Sequence, residues 1–475
     1  MKKLITIVLL ALIITSCTKE TKGYWIENVN IINVEDGSIL NNHNIKIVND
    51  TIAQIKNGKL QSKLNVIDGN NGFVIPGLWD MHIHLDMVDN SSIPLFVVNG
   101  ITGVRDMGGD INFIKNLKQQ NDNLVPDLKA AGTIIESPQF LDAITLFLGR
   151  DILKSRVAYN IKDNPQALID SIINQGSDFI KIRNSESEEA FKALAKAANN
   201  RNVKFTGHIA SNQDIFEVVK SGLSSIEHSD FFSILKLDSL SRKQLAIDLS
   251  ELNTYYTPTL ITTQKSRLTP KENLLDVIKD TLNITYPNRK YLSPKLIESW
   301  MMEYEMSILE GPLDWNTMTQ SFFLFGKELA LNDIPLLAGT DVGVGLIIPG
   351  SSLHDELELM VSTFNVSNLE ALQSATINAT RHLGIKNQGT IKVGNKANLV
   401  ILESNPLEKI SNTRNISVVI KNGLSYNKEA RDIILNSIEK NISVEHKSYT
   451  FDRLKNLKEN IKMVLTKQQQ QLKVE

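Results

Sequence analysis

Pro76-Gly77-Leu78-Trp79-Asp80-Met81-His82-Ile83-His84-Leu85 is the stretch on which the reading of this chain turns. On a β-strand, residues i and i+2 point to the same face. His82 and His84 so placed present two imidazoles side by side, able to hold one divalent metal from one side. Alone, a His-X-His is weak: two histidines on a surface strand edge look the same. The preceding Pro-Gly, closing the apolar run Phe73 to Ile75, makes the pattern more specific.

Downstream, from about Pro76 to Leu383, short apolar runs alternate with amphipathic stretches. Strands are expected at Phe73–Ile75, Thr102–Arg105, Phe179–Ile182, Val203–Thr206, Ser225–Glu227, Tyr256–Thr259 and Pro335–Ala338. Glu188–Asn199 and Gln213–Ser221 have helical periodicity. Such alternation over roughly 300 residues predicts an α/β fold, a parallel (β/α)8 TIM barrel or a doubly wound sheet. The flanks differ. Tyr24–Ile32, Ile45–Val48 and Ile52–Ile55 before the barrel, and Asn398–Leu402 and Val418–Ile420 after it, read as short strands between turns. They are expected to form one small β-sandwich drawn from both flanks. The predicted units are 18–75 and 386–427 for the sandwich, 76–385 for the barrel, and 428–475 for a Lys-rich, helix-prone tail without a motif.

Four further residues fall where later strands should end. Lys181 sits inside Phe179-Ile180-Lys181-Ile182, where a lone ammonium is costly unless paired or modified. His208 follows Val203–Gly207, His228 follows Ser225-Ile226-Glu227, and Asp341 follows Leu336–Thr340. Taken singly, these are an edge lysine, two satisfied core histidines and a helix-capping aspartate. Their shared order and strand-end positions turn the reading towards a metal site.

Here the chain resembles the amidohydrolase superfamily, and more closely its imidazolonepropionase-like and prolidase-like branch. The resemblance runs from about residue 24 to 425. It rests also on Gly100–Asp106, Ile226-Glu227-His228, Ala338-Gly339-Thr340-Asp341, Leu353–Leu357, Ala375–Thr380 and Gly389-Thr390-Ile391. Asn398 departs from the aspartate usual there, within the flanking β-domain. The resemblance implies that His82 and His84 hold a first metal. It implies that a carboxylated Lys181 bridges to a second, that His208 and His228 hold the second, and that Asp341 touches the first and the nucleophilic water. Carboxylation would convert a metal-repelling cation into an anionic ligand, and two metals would lower the pKa of the shared water. Zinc suits this donor set, as two ions in the bridged case and as one where Lys181 stays an ammonium.

Softer candidates for substrate contact are Arg105 and Arg183 at strand ends, Tyr256, and His354 after the Gly343-Val344-Gly345 loop. Each has a structural alternative: salt bridging, core packing or helix capping. Tyr291, Pro294 and Trp300 fall in an insertion that reads as a lid or as covering helices. His43, His382 and His446 belong to no motif.

Composition bounds the partners. The chain has 475 residues and a formal net charge of -2, with no basic stripe, which speaks against nucleic acid. Lys2 and Lys3, the apolar run Leu4–Ile14 and then Thr15-Ser16-Cys17 resemble a bacterial lipoprotein signal, with cleavage before Cys17 and lipidation of its thiol. The alternatives are an uncut anchor helix or a plain secretory signal. Cys17 is the only cysteine, so an exported chain relies on packing or metal rather than internal disulfides. The expected activity is hydrolysis of a carbon–nitrogen amide bond in a small molecule or dipeptide by an exported, lipid-anchored enzyme, with a homo-oligomer compatible. The rivals are a lactonase or phosphoesterase on the same site and a non-catalytic, lipid-anchored peptide-binding protein.

Overall fold

The computed structural model describes residues 23–462 apart from 121, 210–212, 229–233, 235, 308–314, 333, 452–454, 456–457 and 460–461. The signal-peptide and Cys17 expectations lie outside the described residues. No helix among those described is long and apolar enough to cross a membrane.

The chain opens with β1 (Gly23–Ile32), β2 (Ile39–Val48), β3 (Thr51–Asn57) and β4 (Asn65–Pro76). It continues through β5 (Leu78–Ile83), β6 (Ile101–Asp106), β7 (Asp127–Ala130), β8 (Ile134–Glu136), β9 (Arg156–Ala158), β10 (Ile180–Ile182), β11 (Phe205–Gly207), β12 (Ser225–Glu227) and β13 (Tyr255–Thr257). It returns to β14 (Leu399–Leu402), β15 (Ile416–Lys421) and β16 (Leu424–Asn427).

Strands from both flanks form one seven-stranded mixed sheet, in the order β16-β15-β14-β4-β1-β2-β3. This sheet curls: Ile52 N donates to Asn395 O and Ala397 N to Asp50 O, so the β3 edge meets the segment leading into β14. The curl buries Ile26, Val29, Ile45, Val74, Leu399 and Ile420 in a core of their own. Phe73–Ile75, expected to open the barrel, belongs to β4 of this sheet. The chain passes Pro76-Gly77 and starts anew at Leu78, because proline withdraws the amide that would extend the ladder.

The central region is a mixed α/β layer built of parallel strands. β5-β6-β7 form one sheet and β13-β12-β11-β10-β8-β9 another. They approach each other on two sides. The segment around Leu336–Val342 bridges to Tyr256 of β13 and to Ile83 of β5, and Asp178 N donates to Ala130 O beside β7. The expected single closed ring is thus resolved as two sheets, and β7, β8 and β9 were not foreseen.

Helices cover the strands. Glu188–Asn200 starts where Ser187 Oγ accepts the amide of Ala190, which satisfies one of the orphan donors of its first turn. Its buried stripe is Phe191, Leu194, Ala195 and Ala198, at helical spacing. Each fully buried Phe or Leu contributes about 1.5–3 kcal/mol, and truncating Leu194 to alanine would cost about 2–5 kcal/mol.

The tail is ordered over Lys428–Ser448 as a helix capped by Asn427. Ile438 and Ile442 pack against Leu95 and Val98, and Tyr449 Oη donates to Glu298 Oε2 at 2.7 Å. The tail thereby buttresses the segment that follows His84 and the helix Pro294–Ser307. Asn398 also has a local reason. Its Nδ2 donates to Asp127 Oδ2 and Gln388 Oε1, both at 3.1 Å, which a carboxylate could not do.

Candidate metal centre

Each imidazole of interest leaves the end of a strand. His82 lies in β5 with His84 just beyond it, and His208 and His228 follow β11 and β12 directly. Asp341 N donates to His82 O at 2.7 Å, so the loop carrying Asp341 is registered onto β5. Two glycines permit this closeness. A Cβ on Gly339 would stand 2.7 Å from His82 Cβ, and one on Gly207 would stand 1.7 Å from Ile182 O. His228 and Asp341 both take the left-handed backbone conformation, φ 59° and 56°. Such strain in non-glycine residues clusters at functional sites.

The side chains converge. Asp341 Oδ1 is 3.6 Å from His82 Nε2 and 3.5 Å from His84 Nε2, and its Oδ2 is 3.8 Å from His228 Nε2. The His82 and His228 rings are 4.2 Å apart between centroids, and those of His208 and His228 are 5.0 Å apart. Ligand atoms of His82, His228 and Asp341 all lie within 4.8 Å of one another. Lys181 is buried, and its charge lowers the basicity of His82, His84, His208 and His228 alike, which sets it among the four.

The histidines are prepared to donate lone pairs. Burial pushes His82 down to about 3 and His84 to about 4, and holds His208 and His228 well below the ordinary imidazole range. All four are therefore neutral at physiological pH. His82 Nδ1 meets Glu227 Oε2 at 2.8 Å, His84 Nδ1 meets Gly108 O at 2.9 Å, and His228 Nδ1 meets Thr259 Oγ1 at 2.8 Å. With Nδ1 engaged, Nε2 turns inward as the ligand nitrogen. His82 Nε2 is buried and has no hydrogen-bond partner among the described residues. A buried nitrogen of this kind, facing two neutral imidazoles and a carboxylate, fits a divalent cation.

Buried carboxylates shape the surroundings. Asp80 accepts the Thr340 amide at 3.0 Å and its hydroxyl at 2.7 Å, holding the residue before Asp341. Asp106 accepts Leu85 N at 2.7 Å and Gly108 N at 3.0 Å, fixing the loop whose carbonyl orients His84. Burial raises both carboxyls to about 7.

Three expected substrate contacts are corrected. Arg105 is buried beneath the cluster. Its Nε donates to Met81 O at 2.6 Å, and its Nη2 lies 2.8 Å from both oxygens of Glu227. It orients the carboxylate behind His82 and offers nothing to a substrate. His354 is buried between Thr413 Oγ1 and Asn99 O, at 3.0 Å from each, and ties a covering helix to the flank. Tyr256 is fully buried and packs edge-on against Phe325, on the helix side of the strands. Arg183 remains partly exposed, with Nη1 3.2 Å from Glu136 Oε1.

Glu227 was overlooked as a functional residue. Its signal stood in the quoted Ile226-Glu227-His228, where an acid inside an apolar strand needs a cationic partner. Glu136 and Arg156 carried no comparable signal.

A family model described as the amidohydrolase family matches residues 73–425, and the chain belongs to that family. A 5-methylthioadenosine/S-adenosylhomocysteine deaminase of Dictyoglomus turgidum (strain DSM 6724 / Z-1310) is 46% identical over 63 residues, which are 13% of this chain and 14% of that relative's length. The fold is similar to that of a Xaa-Pro dipeptidase solved with methionine in its active site. The TM-score is 0.63 at 22% identity, covering 85% of this chain and all of that one. It is also similar to that of a bottromycin amidohydrolase, with TM-score 0.66 at 16% identity, covering 89% and 91%.

Proposed function

We propose that the chain is a metal-dependent hydrolase of carbon–nitrogen amide bonds in small molecules or dipeptides. The observation that carries this reading is the convergence of His82, His228 and Asp341, with neutral imidazoles and a buried, unpartnered Nε2 on His82. A bound divalent ion supplies Lewis acidity and lowers the pKa of a water. Asp341 accepts a proton from the attacking water and returns it to the leaving nitrogen. His84 and His228, fixed through Gly108 and Thr259, keep the carboxylate oriented. Zinc suits three imidazoles and a carboxylate. Burial of Lys181 among four imidazoles supports its carboxylation and a second ion held by His208 and His228. The parallel strands, bridged on both sides, support a (β/α)8 barrel with this cluster at the carboxyl ends of its strands.

Dipeptide substrates are favoured by the expectation of export, for which the support is sequence alone: Lys2, Lys3, Leu4–Ile14 and Cys17. The test is a panel of Xaa-Pro and other dipeptides, lactones, phosphotriesters and an aminopurine nucleoside, offered to zinc-loaded protein and to Asp341→Asn. Amide or dipeptide turnover, lost at least about 100-fold in the variant, is expected. Tight peptide binding without turnover of anything on the panel would establish a binding protein instead.

A further inference from the structure

The strand register gathers three charged side chains that the metal cluster does not use. Arg156 of β9 stands opposite Ile134 of β8, and Ile134 stands opposite Lys181 of β10. Residues paired across a parallel sheet share a face, as do residues i and i+2 along a strand. Arg156, Glu136, Lys181 and Arg183 therefore lie on one face, the face that carries Lys181 to the histidines.

Both arginines use the same oxygen. Nη1 of Arg183 lies 3.2 Å from Glu136 Oε1, and Nη1 of Arg156 bonds the same atom. The Glu136 side chain is fully buried, that of Arg156 is 10% exposed, and that of Arg183 is 36% exposed. Two guanidiniums share this one carboxylate, and Asp86 adds a second negative charge that acts on Arg156. Nε of Arg156 is buried without a hydrogen-bond partner among the described residues. The Arg183 guanidinium lies 4.9 Å from the Phe140 ring centroid, an arrangement that restrains its plane. The pair thus shares its face of the sheet with Lys181.

We propose that Arg156 and Arg183, oriented by Glu136, form a subsite for a substrate carboxylate, so that the substrate class is amides bearing a free carboxylate, such as dipeptides and N-acyl amino acids, rather than neutral amides. A guanidinium matches a carboxylate through paired N–H donors, and Arg156 and Arg183 each give Glu136 one nitrogen and keep others to spare. This subsite rests on the reading of the His82–Asp341 cluster as the reaction centre.

The experiment is calorimetry on the zinc-loaded full chain with two probes, N-acetyl-L-alanine and N-acetyl-L-alaninamide, with hydrolysis followed in parallel. Wild type is expected to bind the carboxylate at least about 10-fold more tightly than the amide, the range of charge-assisted hydrogen bonds. In Arg156→Met and Arg183→Met that ratio is expected to fall to threefold or less. Should Arg156→Met fail to fold, the more exposed Arg183→Met still decides. A wild-type ratio near one, or a ratio unchanged in the folded variants, overturns the subsite. Discrimination that depends on the arginines, in a protein that hydrolyses nothing, keeps the subsite and rejects only the reaction assigned to the centre.

Discussion

Oε2 of Glu227 lies 2.8 Å from Nδ1 of His82, and both side chains are buried. Burial alone would push the Glu227 carboxyl up. Arg105, on both of its oxygens at 2.8 Å, and His82 hold it well below the usual range. Thr206 Oγ1 at 2.6 Å and Ser225 Oγ at 2.5 Å complete its shell. An ionised acceptor behind the imidazole fixes the tautomer with hydrogen on Nδ1 and makes Nε2 the more basic donor to a cation. Glu227→Gln replaces that anion with a neutral amide. Zinc affinity is expected to fall about 10- to 100-fold, read by competition with a chromogenic chelator. Unchanged affinity would mean that His82 is no ligand.

Lys181 separates one ion from two. A carboxylated Lys181 would offer an anionic oxygen to each of two ions, and its loss would leave His208 and His228 too few donors to hold one of them. Zinc content by elemental analysis is expected to fall from about two per chain to about one or less in Lys181→Ala. Equal content in the two proteins would reject the bridge.

Much of this centre was legible in the sequence because strand geometry is periodic. A His-X-His must share a face, and the histidines that follow the apolar parallel strands β11 and β12 leave the same end of one sheet. Depth and facing were not legible. Arg105 and Arg183 look alike as strand-end arginines, yet Arg105 is anchored to Met81 O below the histidines and Arg183 stands partly in the open. His354 reads as a site histidine after a glycine loop, while its two partners come from residues 255 and 59 positions away in sequence. Arg156 lies on a three-residue strand with no motif. The tail was unreadable because only Ile438 and Ile442 of its long helix are buried, too few to make a periodic stripe.

Asp127 is the counter-charge that joins β7 to the flanking sheet. It bonds Nζ of Lys421, whose side chain is fully buried, and lies 2.8 Å from Nζ of Lys396. Removing one partner of a buried ion pair leaves an uncompensated charge. Asp127→Asn is expected to destabilise the fold by about 3 kcal/mol or more, measured by denaturant unfolding. A loss below about 0.5 kcal/mol, the scale of a surface pair, would show that solvent reaches Lys421.

Proton linkage gives the metal-free protein a stability maximum near neutrality. Burial lowers seven histidines, six of them far: His82 to about 3, His84 and His354 to about 4, and His208, His228 and His382 well below the ordinary value, with His446 lowered less. Unfolded imidazoles titrate near 6.5. Below that pH the unfolded chain binds protons that the folded chain refuses, and stability falls as pH falls. Burial raises Asp80 and Asp106 to about 7 and Glu356 to about 8. These folded carboxyls keep protons that unfolded ones shed above about 4, so their contribution is lost as pH rises towards 8. Six imidazoles outweigh three carboxyls below about 6.5, and the carboxyls act alone above it. Tm of metal-free protein is expected to peak between about pH 6 and 7. A steady rise from pH 5 to 9 would contradict these directions.

The helix Pro294–Ser307 pins the loop that follows Asp341. Ser299 Oγ donates to Gly343 O at 2.7 Å, and Gly345 N donates to Glu303 Oε2 at 2.6 Å. Glu303 is itself held by Ser266 Oγ at 2.5 Å and Lys271 Nζ at 2.9 Å. Asp341 is tied to β5 through its amide on His82 O, and its carboxylate faces three imidazoles. Its backbone is in the left-handed region, and Val342 beyond it bridges both to Ile83 of β5 and to Val344. Cutting both ties should let the carboxylate wander while the imidazoles, fixed from β5 and β12, keep their places. Ser299→Ala with Glu303→Ala is therefore expected to lower kcat by about 10- to 100-fold, the cost of a small misplacement of a catalytic group, and to change KM little. Restoring Ser299 alone should recover part of the loss. A double variant with wild-type kcat would show that the β5 register, through Asp341 N and His82 O, suffices to hold the carboxylate.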